Sequence, residues 1–243
     1  MPLLDFFLDF LFPKRCLSCG KFGQYICDSC TSIIQIIEVN ICSICEKPAI
    51  GGQTHPHCQN RYTLDGLTSF FSYQGVIRKA IKTIKYKPFA FDISKALVNL
   101  ALKRMSQEES LFIFFNQLLK TKPVVVPVPL YPLRERQRGF NQSEVLGKIF
   151  SEHWDLKFIP HLLKRIKKTQ PQYGLDRQER KKNIKDAFSI NSQFLPAGRH
   201  GAILNWKIIL IDDVWTTGTT MRTCANVLKR AGAKFVWGLT MAR

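Results

Sequence analysis

An α/β fold, a parallel sheet flanked by helices with a small cysteine-rich module ahead of it, is what this sequence of 243 residues predicts. Three observations carry that expectation. Ile208-Ile209-Leu210-Ile211 is a continuous run of large, mostly β-branched residues, as in a strand buried on both faces of a parallel sheet. After it come an amphipathic stretch with Met221, Cys224, Ala225, Leu228 and Ala231 on one face, a closing Gly232, and a second apolar run from Phe235 to Leu239. That order is a βαβ unit, whose crossover should be right-handed and whose ligand should sit at the carboxyl ends of the strands. The third observation is that all the cysteines but Cys224 lie ahead of residue 60, six of them in pairs three apart and Cys58 alone, a spacing that suits metal ligation better than a disulfide framework.

The length accommodates one α/β domain plus a small module, divided here as residues 1–61 and 62–243. In the first twelve residues Asp5 and Asp9 lie one helical turn apart, which leaves Leu3, Phe6, Phe7, Phe10 and Leu11 on a broad apolar face. No basic segment precedes the run and two carboxylates interrupt it, so it does not read as a signal peptide. No stretch anywhere is apolar for long enough to span a bilayer. The expected compartment is the cytoplasm. The apolar face should dock on its own protein, a peripheral contact at the inner face of the cytoplasmic membrane being the alternative use.

Cys16-x-x-Cys19, Cys27-x-x-Cys30 and Cys42-x-x-Cys45 are three thiolate knuckles of the kind that grip a tetrahedral zinc ion in zinc ribbons. A fourth would need a ligand at position 61, where Arg61 stands, so Cys58 is joined by His57 or His55, or the second site is degenerate. Pairing of the knuckles in chain order and crossed pairing are both open. A module of this size has little apolar core and should depend on its structural zinc to fold.

Leu67 to Tyr73 has strand character. Val76 to Tyr86 reads as a helix, with Val76, Ile77, Ala80, Ile81 and Ile84 inward and Arg78, Lys79, Lys82, Lys85 and Lys87 outward. A second helix should run from Ile93 to Met105 after Asp92 as N-cap, then a loop from Ser106; Leu111 to Leu119 is too short and apolar to assign. Val124-Val125-Val126 is a second buried strand, expected to end at about Val126 because proline cannot donate to a ladder, so that Pro127-Val128-Pro129 projects from the sheet edge. Arg134, Arg136 and Arg138 follow at once, then Gly139-Phe140-Asn141-Gln142, then a helix over 142–154 that buries Val145, Leu146, Ile149 and Phe150.

The formal net charge is +18, from 36 Lys and Arg against 18 Asp and Glu. Such an excess favours polyanionic partners, nucleic acid first. Its densest stretch is Lys164 to Lys185, including Lys164, Arg165, Lys167, Lys168, Lys181 and Lys182, with a helix expected from Asp176 to Asn183. Together with Arg136 and Arg138 these are the candidate nucleic-acid contacts, and a mobile basic segment of this kind equally suits a lid over an anion site.

The chemistry of the site follows from Asp212-Asp213-Val214-Trp215-Thr216-Thr217-Gly218-Thr219-Thr220. The loop precedes and opens a helix, so unpaired N–H groups and the positive end of the helix dipole face one spot, four threonine hydroxyls add donors, and Gly218 allows close approach. Such a pocket suits a phosphate. Asp212 and Asp213, acceptors when ionised, suit a diol or a cation beside it. A sugar phosphate with free ribose hydroxyls meets both demands.

This stretch resembles the signature of the type I phosphoribosyltransferases, which bind 5-phosphoribosyl 1-pyrophosphate (PRPP) with Mg²⁺. The resemblance implies PRPP binding by residues 212–220. It also implies a pyrophosphate-holding role for the loop after the other strand, with Val128, Pro129, Arg134 and Arg138, and a catalytic role for Asp212 and Asp213 in steadying the ribose as pyrophosphate leaves. A wider resemblance rests on four parts: the zinc knuckles; Val126-Pro127-Val128-Pro129-Leu130 through Arg138-Gly139-Phe140-Asn141-Gln142; Leu175, Glu179, Arg180, Asn183, Ala187 and Phe188 within 172–188; and the terminal Asp-Asp loop. Together they are similar to the ComF family of competence proteins over nearly the whole chain. This implies a type I phosphoribosyltransferase-like sheet behind a zinc-ribbon-like module, acting in natural transformation, where imported single-stranded DNA reaches the cytoplasm with a helicase-like ComF partner. Two departures stand out. Trp215 occupies a position where a smaller residue is common, with base stacking on Trp215 or Phe140 a possible use, and Arg61 stands where a zinc ligand is expected.

Overall fold

The computed structural model describes residues 13–85, 90–167, 186–194 and 203–243. The apolar face of the first twelve residues, Lys87, the basic residues Lys168, Lys181 and Lys182, and the helix expected over 176–183 lie outside them.

Four strands form the central sheet: β1 (Gly66–Phe71), β2 (Val124–Pro127), β5 (Lys207–Val214) and β6 (Phe235–Ala242). They are parallel throughout, in the order β1-β6-β5-β2. Successive side chains of a strand point to opposite faces, so each apolar run serves two cores. Ile209 and Ile211 of β5 join Val125, Trp237 and Leu239 in one core, Ile208 and Leu210 join Val126 and Val236 in the other, and the four residues Ile208 to Ile211 are fully buried. Burial on both faces is why the run lacks the alternation of a surface strand.

The first core is closed by α2 (Gly75–Ile84), α3 (Ala90–Gln107), α4 (Ile113–Lys120) and α6 (Gln142–Trp154), and the second by α7 (Thr219–Arg230), through Met221, Cys224, Ala225 and Leu228. All five residues assigned to the inner face of α2 are buried. The helix over 142–154 matches its expected bounds. At β1 the sheet needs a glycine: a Cβ on Gly66 would lie 2.3 Å from the ring of Trp237, its partner in register on β6. The indole Nε1 donates to Thr68 Oγ1 at 2.9 Å, so this buried donor is satisfied.

Several elements differ from expectation. α3 begins at Ala90, which puts Asp92 inside the first turn rather than at the cap. The unassigned apolar stretch forms α4, with Phe115, Leu118 and Leu119 buried. The arginine-rich segment is itself a helix, α5 (Pro132–Arg138), started by Pro132 and ended by Gly139 at φ 80. Arg165 and Phe188 belong to a small antiparallel pair, β3 (Leu163–Arg165) with β4 (Phe188–Ile190), each too short to leave a pattern. In the cysteine-rich module, the four-residue α1 (Asp28–Thr31) follows Cys27, and Cys16, Ile26, Cys27 and Cys30 pack into the first core. Among the described residues no helix is long and apolar enough to cross a membrane.

Candidate functional site

The carboxyl end of β5 opens into a cleft of about 370 Å³ lined by Tyr73, Lys85, Asp212 to Thr216 and Gly218 to Met221. Gly218 takes φ 66 immediately before α7, placing the first N–H groups of that helix, which the helix leaves unpaired, at the mouth of the cleft. The hydroxyls of Thr217 and Thr219 lie 3.0 Å apart.

Each carboxylate is held by a different element. Asp213, buried, pairs with Lys85 Nζ at 2.7 Å. The expectation that Lys85 faces solvent is thereby corrected: it caps α2, and its position at the helix end lets it turn back to β5. Burial opposes its charge, but the carboxylates of Asp213 and then Asp212 outweigh that and raise its pKa. Asp212 Oδ1 accepts from Ser143 Oγ at 2.7 Å and from the Asp213 N–H at 2.8 Å. Burial, and next the charge of Asp213, still push the Asp212 carboxyl up to about 7, against those two hydrogen bonds and the Lys85 ammonium. The pair therefore holds less than two full negative charges near neutral pH, and a cation or a diol donor entering the cleft would favour the ionised form.

Ser143 is in place because Asn141 caps α6, its Oδ1 accepting the Ser143 N–H at 3.1 Å. The Asn141 amide also donates to the Val128 carbonyl at 3.0 Å, while the Val128 N–H donates to the Ile211 carbonyl at 2.9 Å. The turn after β2 is thus fastened to the turn before α6 and to β5. Arg138 donates to Gln142 at 3.0 Å.

Of the residues expected to bind PRPP, the structure gathers Asp212 to Thr216 and Gly218 to Thr220 around one cleft. Pro129 instead lines a neighbouring depression of about 590 Å³, with Tyr131, Glu135, Asn141, Glu144, His161, Lys164 and Arg165. Thr217, Val128, Arg134 and Arg138 line neither. Trp215 is 4% exposed, its ring packed under Gly218 with the Arg222 guanidinium 5.0 Å from its centroid. It is therefore a support for the loop, and the suggestion that it stacks on a base is corrected.

Lys164, Lys167 and Arg136 are exposed, and Arg165 and Arg138 are half-buried. Burial, and then the like charge of Arg134, lower the Arg165 pKa, so these two guanidiniums lie within electrostatic reach. Lys167 is 3.8 Å from Asp186.

The metal-ligating side chains form two groups, Cys16-Cys19-Cys27-Cys30 and Cys42-Cys45-His55-Cys58, the donor atoms within each lying within 4.8 Å of one another. The knuckles pair in chain order, not crossed. His57, taken as a ligand, is corrected to His55: His55 Nδ1 lies 3.3 Å from Cys45 Sγ, while His57 is exposed and stacks on the His55 ring at 5.3 Å. The other ring nitrogen of His55 is 3.0 Å from the Pro48 carbonyl, the outer hydrogen bond that orients a metal-binding imidazole. Cys19 and Cys27 sulfurs are 3.6 Å apart, close to the edge of roughly 3.8 Å that a tetrahedron of about 2.3 Å Zn–S bonds requires. Burial pushes Cys30 up to about 12, whereas at Cys16 the burial penalty is overcome by backbone N–H donors from Cys19, Cys27 and Ser18, which hold the thiol at about 6. Four thiols this close resist sharing negative charge, and a structural zinc ion fits that donor set.

Ser143 and Arg222 escape notice in the sequence; Asn141 is expected beside this sheet edge but not as a cap, and Lys85 is assigned to the wrong face. Asn141 carried a signal, as a capping residue ahead of an apolar-periodic run. Nothing local reports that Ser143 reaches Asp212, 69 positions on.

A profile of the double zinc ribbon domain matches residues 7–59. Over 239 residues the chain is 26% identical to "Competence protein F" of Haemophilus influenzae, an alignment covering 91% of this chain and 99% of that protein. It is 29% identical to "DNA utilization protein YhgH" of Escherichia coli strain K12, covering 90% of each. It is 25% identical to "Competence protein ComFC" of Bacillus subtilis, covering 94% of this chain and 88% of the relative.

Proposed function

We propose that this chain, a ComF-family competence protein, handles single-stranded DNA that enters the cytoplasm during natural transformation, and that the cleft at the end of β5 binds PRPP together with Mg²⁺. One observation supports the PRPP reading above others: two adjacent carboxylates at a strand end, a short loop ahead of a left-handed glycine that opens a helix onto the same cleft. Asp212 and Asp213 would receive the ribose hydroxyls or the cation, and the N–H groups of the loop would receive the 5-phosphate. When bound, Mg²⁺ would neutralise pyrophosphate charge; the residues present supply carboxylates for it. The DNA role draws on the names of the relatives and on the net charge of +18. Exposed Arg136, Lys164 and Lys167 offer phosphate contacts, and the chain would meet a helicase-like partner at the point of entry, from the cytoplasm or the inner membrane face.

The test is calorimetry with PRPP, with and without Mg²⁺, on wild type and on Asp212→Ala with Asp213→Ala. Binding to wild type and none to the double variant supports the reading; unchanged affinity sinks it. Fluorescence anisotropy with a labelled oligonucleotide, in the presence of PRPP, then separates a shared site from a basic surface of its own. Simultaneous binding is expected.

A transferase reading, in which PRPP passes its ribose 5-phosphate to an unknown acceptor, is favoured by the neighbouring depression. It meets the loop after β2 and carries amide, carboxylate, imidazole and guanidinium groups. Pyrophosphate release in the presence of candidate acceptors, including DNA, decides it.

A further inference from the structure

We infer that Arg222 couples the second zinc-binding group to the phosphate loop, so that metal at Cys42-Cys45-His55-Cys58 and an anion on the loop strengthen each other's binding; this rests on the anion-binding reading of the loop. Arg222 stands in the first turn of α7, and each of its side-chain nitrogens donates a hydrogen bond. Nε donates to the Ser43 carbonyl at 2.5 Å, and Nη2 donates to the Ile44 carbonyl at 3.4 Å and to Glu46 Oε1 at 2.7 Å. Nη1 turns the other way and donates to the Thr217 carbonyl at 2.8 Å. The face of the guanidinium lies over the Trp215 ring that supports Gly218.

Ser43 and Ile44 are the two residues between the thiolates of the Cys42-x-x-Cys45 knuckle, and Glu46 follows Cys45 directly at φ 62. The directions of those carbonyls depend on how the two sulfurs are held, which is what a bound ion fixes. At the other end, the Thr217 carbonyl and the Gly218 N–H belong to one planar trans peptide and point in opposite senses. Fastening the carbonyl toward Arg222 aims the N–H away from it. Glycine at φ 66 resists rotation of that peptide less than any other residue, so the orientation has to come from a partner, and Arg222 is one. The knuckle thus sets the guanidinium, and the guanidinium sets the peptide at the apex of the loop. Thermodynamic linkage then requires the effect to run both ways.

The experiment uses the full chain with both metals loaded. PRPP with Mg²⁺ is titrated calorimetrically into wild type and into His55→Ala, which should lack the second ion only, and zinc transfer to a chromogenic chelator is followed with and without saturating PRPP. We expect loss of the second ion to weaken PRPP by roughly fivefold or more, and PRPP to tighten the second zinc by the same factor. In Arg222→Met both effects should vanish, and in the milder Glu46→Gln they should shrink. Equal PRPP affinity in wild type and His55→Ala, or coupling that survives in the Arg222→Met background, overturns the inference. A readout without ligand is the ¹⁹F resonance of Trp215 in protein labelled with 5-fluorotryptophan, identified by its loss in Trp215→Phe. It should shift when the second ion is removed from wild type and stay put in Arg222→Met. No shift in wild type overturns the coupling. If PRPP binds to no form, the proposed ligand is wrong, while the Trp215 resonance still decides whether Arg222 joins knuckle to loop.

Discussion

Replacing Gly218 by alanine tests how the loop is supported. A Cβ there would lie 2.1 Å from Trp215 Cζ2 and 2.4 Å from Cη2, and the ring, 4% exposed with Arg222 beside it, has little room to retreat. Alanine held in the left-handed region costs about 1–2 kcal/mol. Forcing extra volume into a packed site costs about 1–3 kcal/mol more. The conformational freedom that alanine removes from the unfolded chain returns no more than about 1 kcal/mol. The net loss should be about 1–4 kcal/mol, or roughly 2–16 °C in Tm at a slope of about 2–4 °C per kcal/mol for a chain of this size. The steric share is separable. In a Trp215→Leu background the clash is gone, so Gly218→Ala should there cost only the backbone share, and the cycle should show a coupling of about 1–3 kcal/mol. Urea unfolding of the four zinc-loaded proteins, followed by circular dichroism, measures it. Additivity within about 0.5 kcal/mol would refute the packing of ring on glycine.

Three further outcomes follow from the geometry. Asp212, with its carboxyl raised to about 7 in the fold, keeps a proton that the unfolded chain loses near its ordinary 3.8, so stability without ligand should fall as pH rises through that interval. Asp212→Asn should flatten that dependence in urea midpoints taken between pH 4 and pH 8; a wild-type stability that rises across the interval would contradict it. His55→Ala should release one of two zinc ions in elemental analysis while His57→Ala retains both, and the reverse pattern would restore His57 as the ligand. Binding of single-stranded DNA should weaken with salt, and charge reversal at Arg136, Arg138 and Lys164 should reduce the log–log slope by about 0.7 for each lost phosphate contact. A slope unmoved by all three would place DNA elsewhere.

What the sequence made legible divides along a physical line. β5, α7 and β6 could be read because burial on both sheet faces, a helical stripe and a closing glycine are local patterns, and the Asp212-Asp213 pair with its loop is contiguous. α5, β3 and β4 could not, since seven- and three-residue elements complete too few periods. The site itself was half legible. Its backbone and carboxylates lie in one stretch, but the side chains that hold them come from Lys85, Ser143 and Arg222, brought together only by packing. The second zinc group shows the same limit at short range: His55 and His57 are equivalent by spacing, and the Pro48 carbonyl that selects His55 is visible only in three dimensions.

The strand order has a consequence for how the chain is made. β6 lies between β1 and β5, so the strand translated after the other described strands is the one that joins them, as the hydrogen bond between the Ser69 and Thr240 hydroxyls, 171 positions apart, records. Until it emerges from the ribosome, β1 has no partner among the described strands of the sheet, and of these only β2 and β5 are paired, leaving the edge of β5 open. Long-range parallel pairing of this kind forms slowly and leaves apolar edges waiting. The cysteine-rich segment, by contrast, emerges before the sheet strands and can close on zinc while the sheet is still incomplete. A cell starved of zinc during synthesis would therefore hold a nascent chain with neither the cysteine-rich segment nor the sheet secured, the state in which holdase chaperones and proteases compete for it.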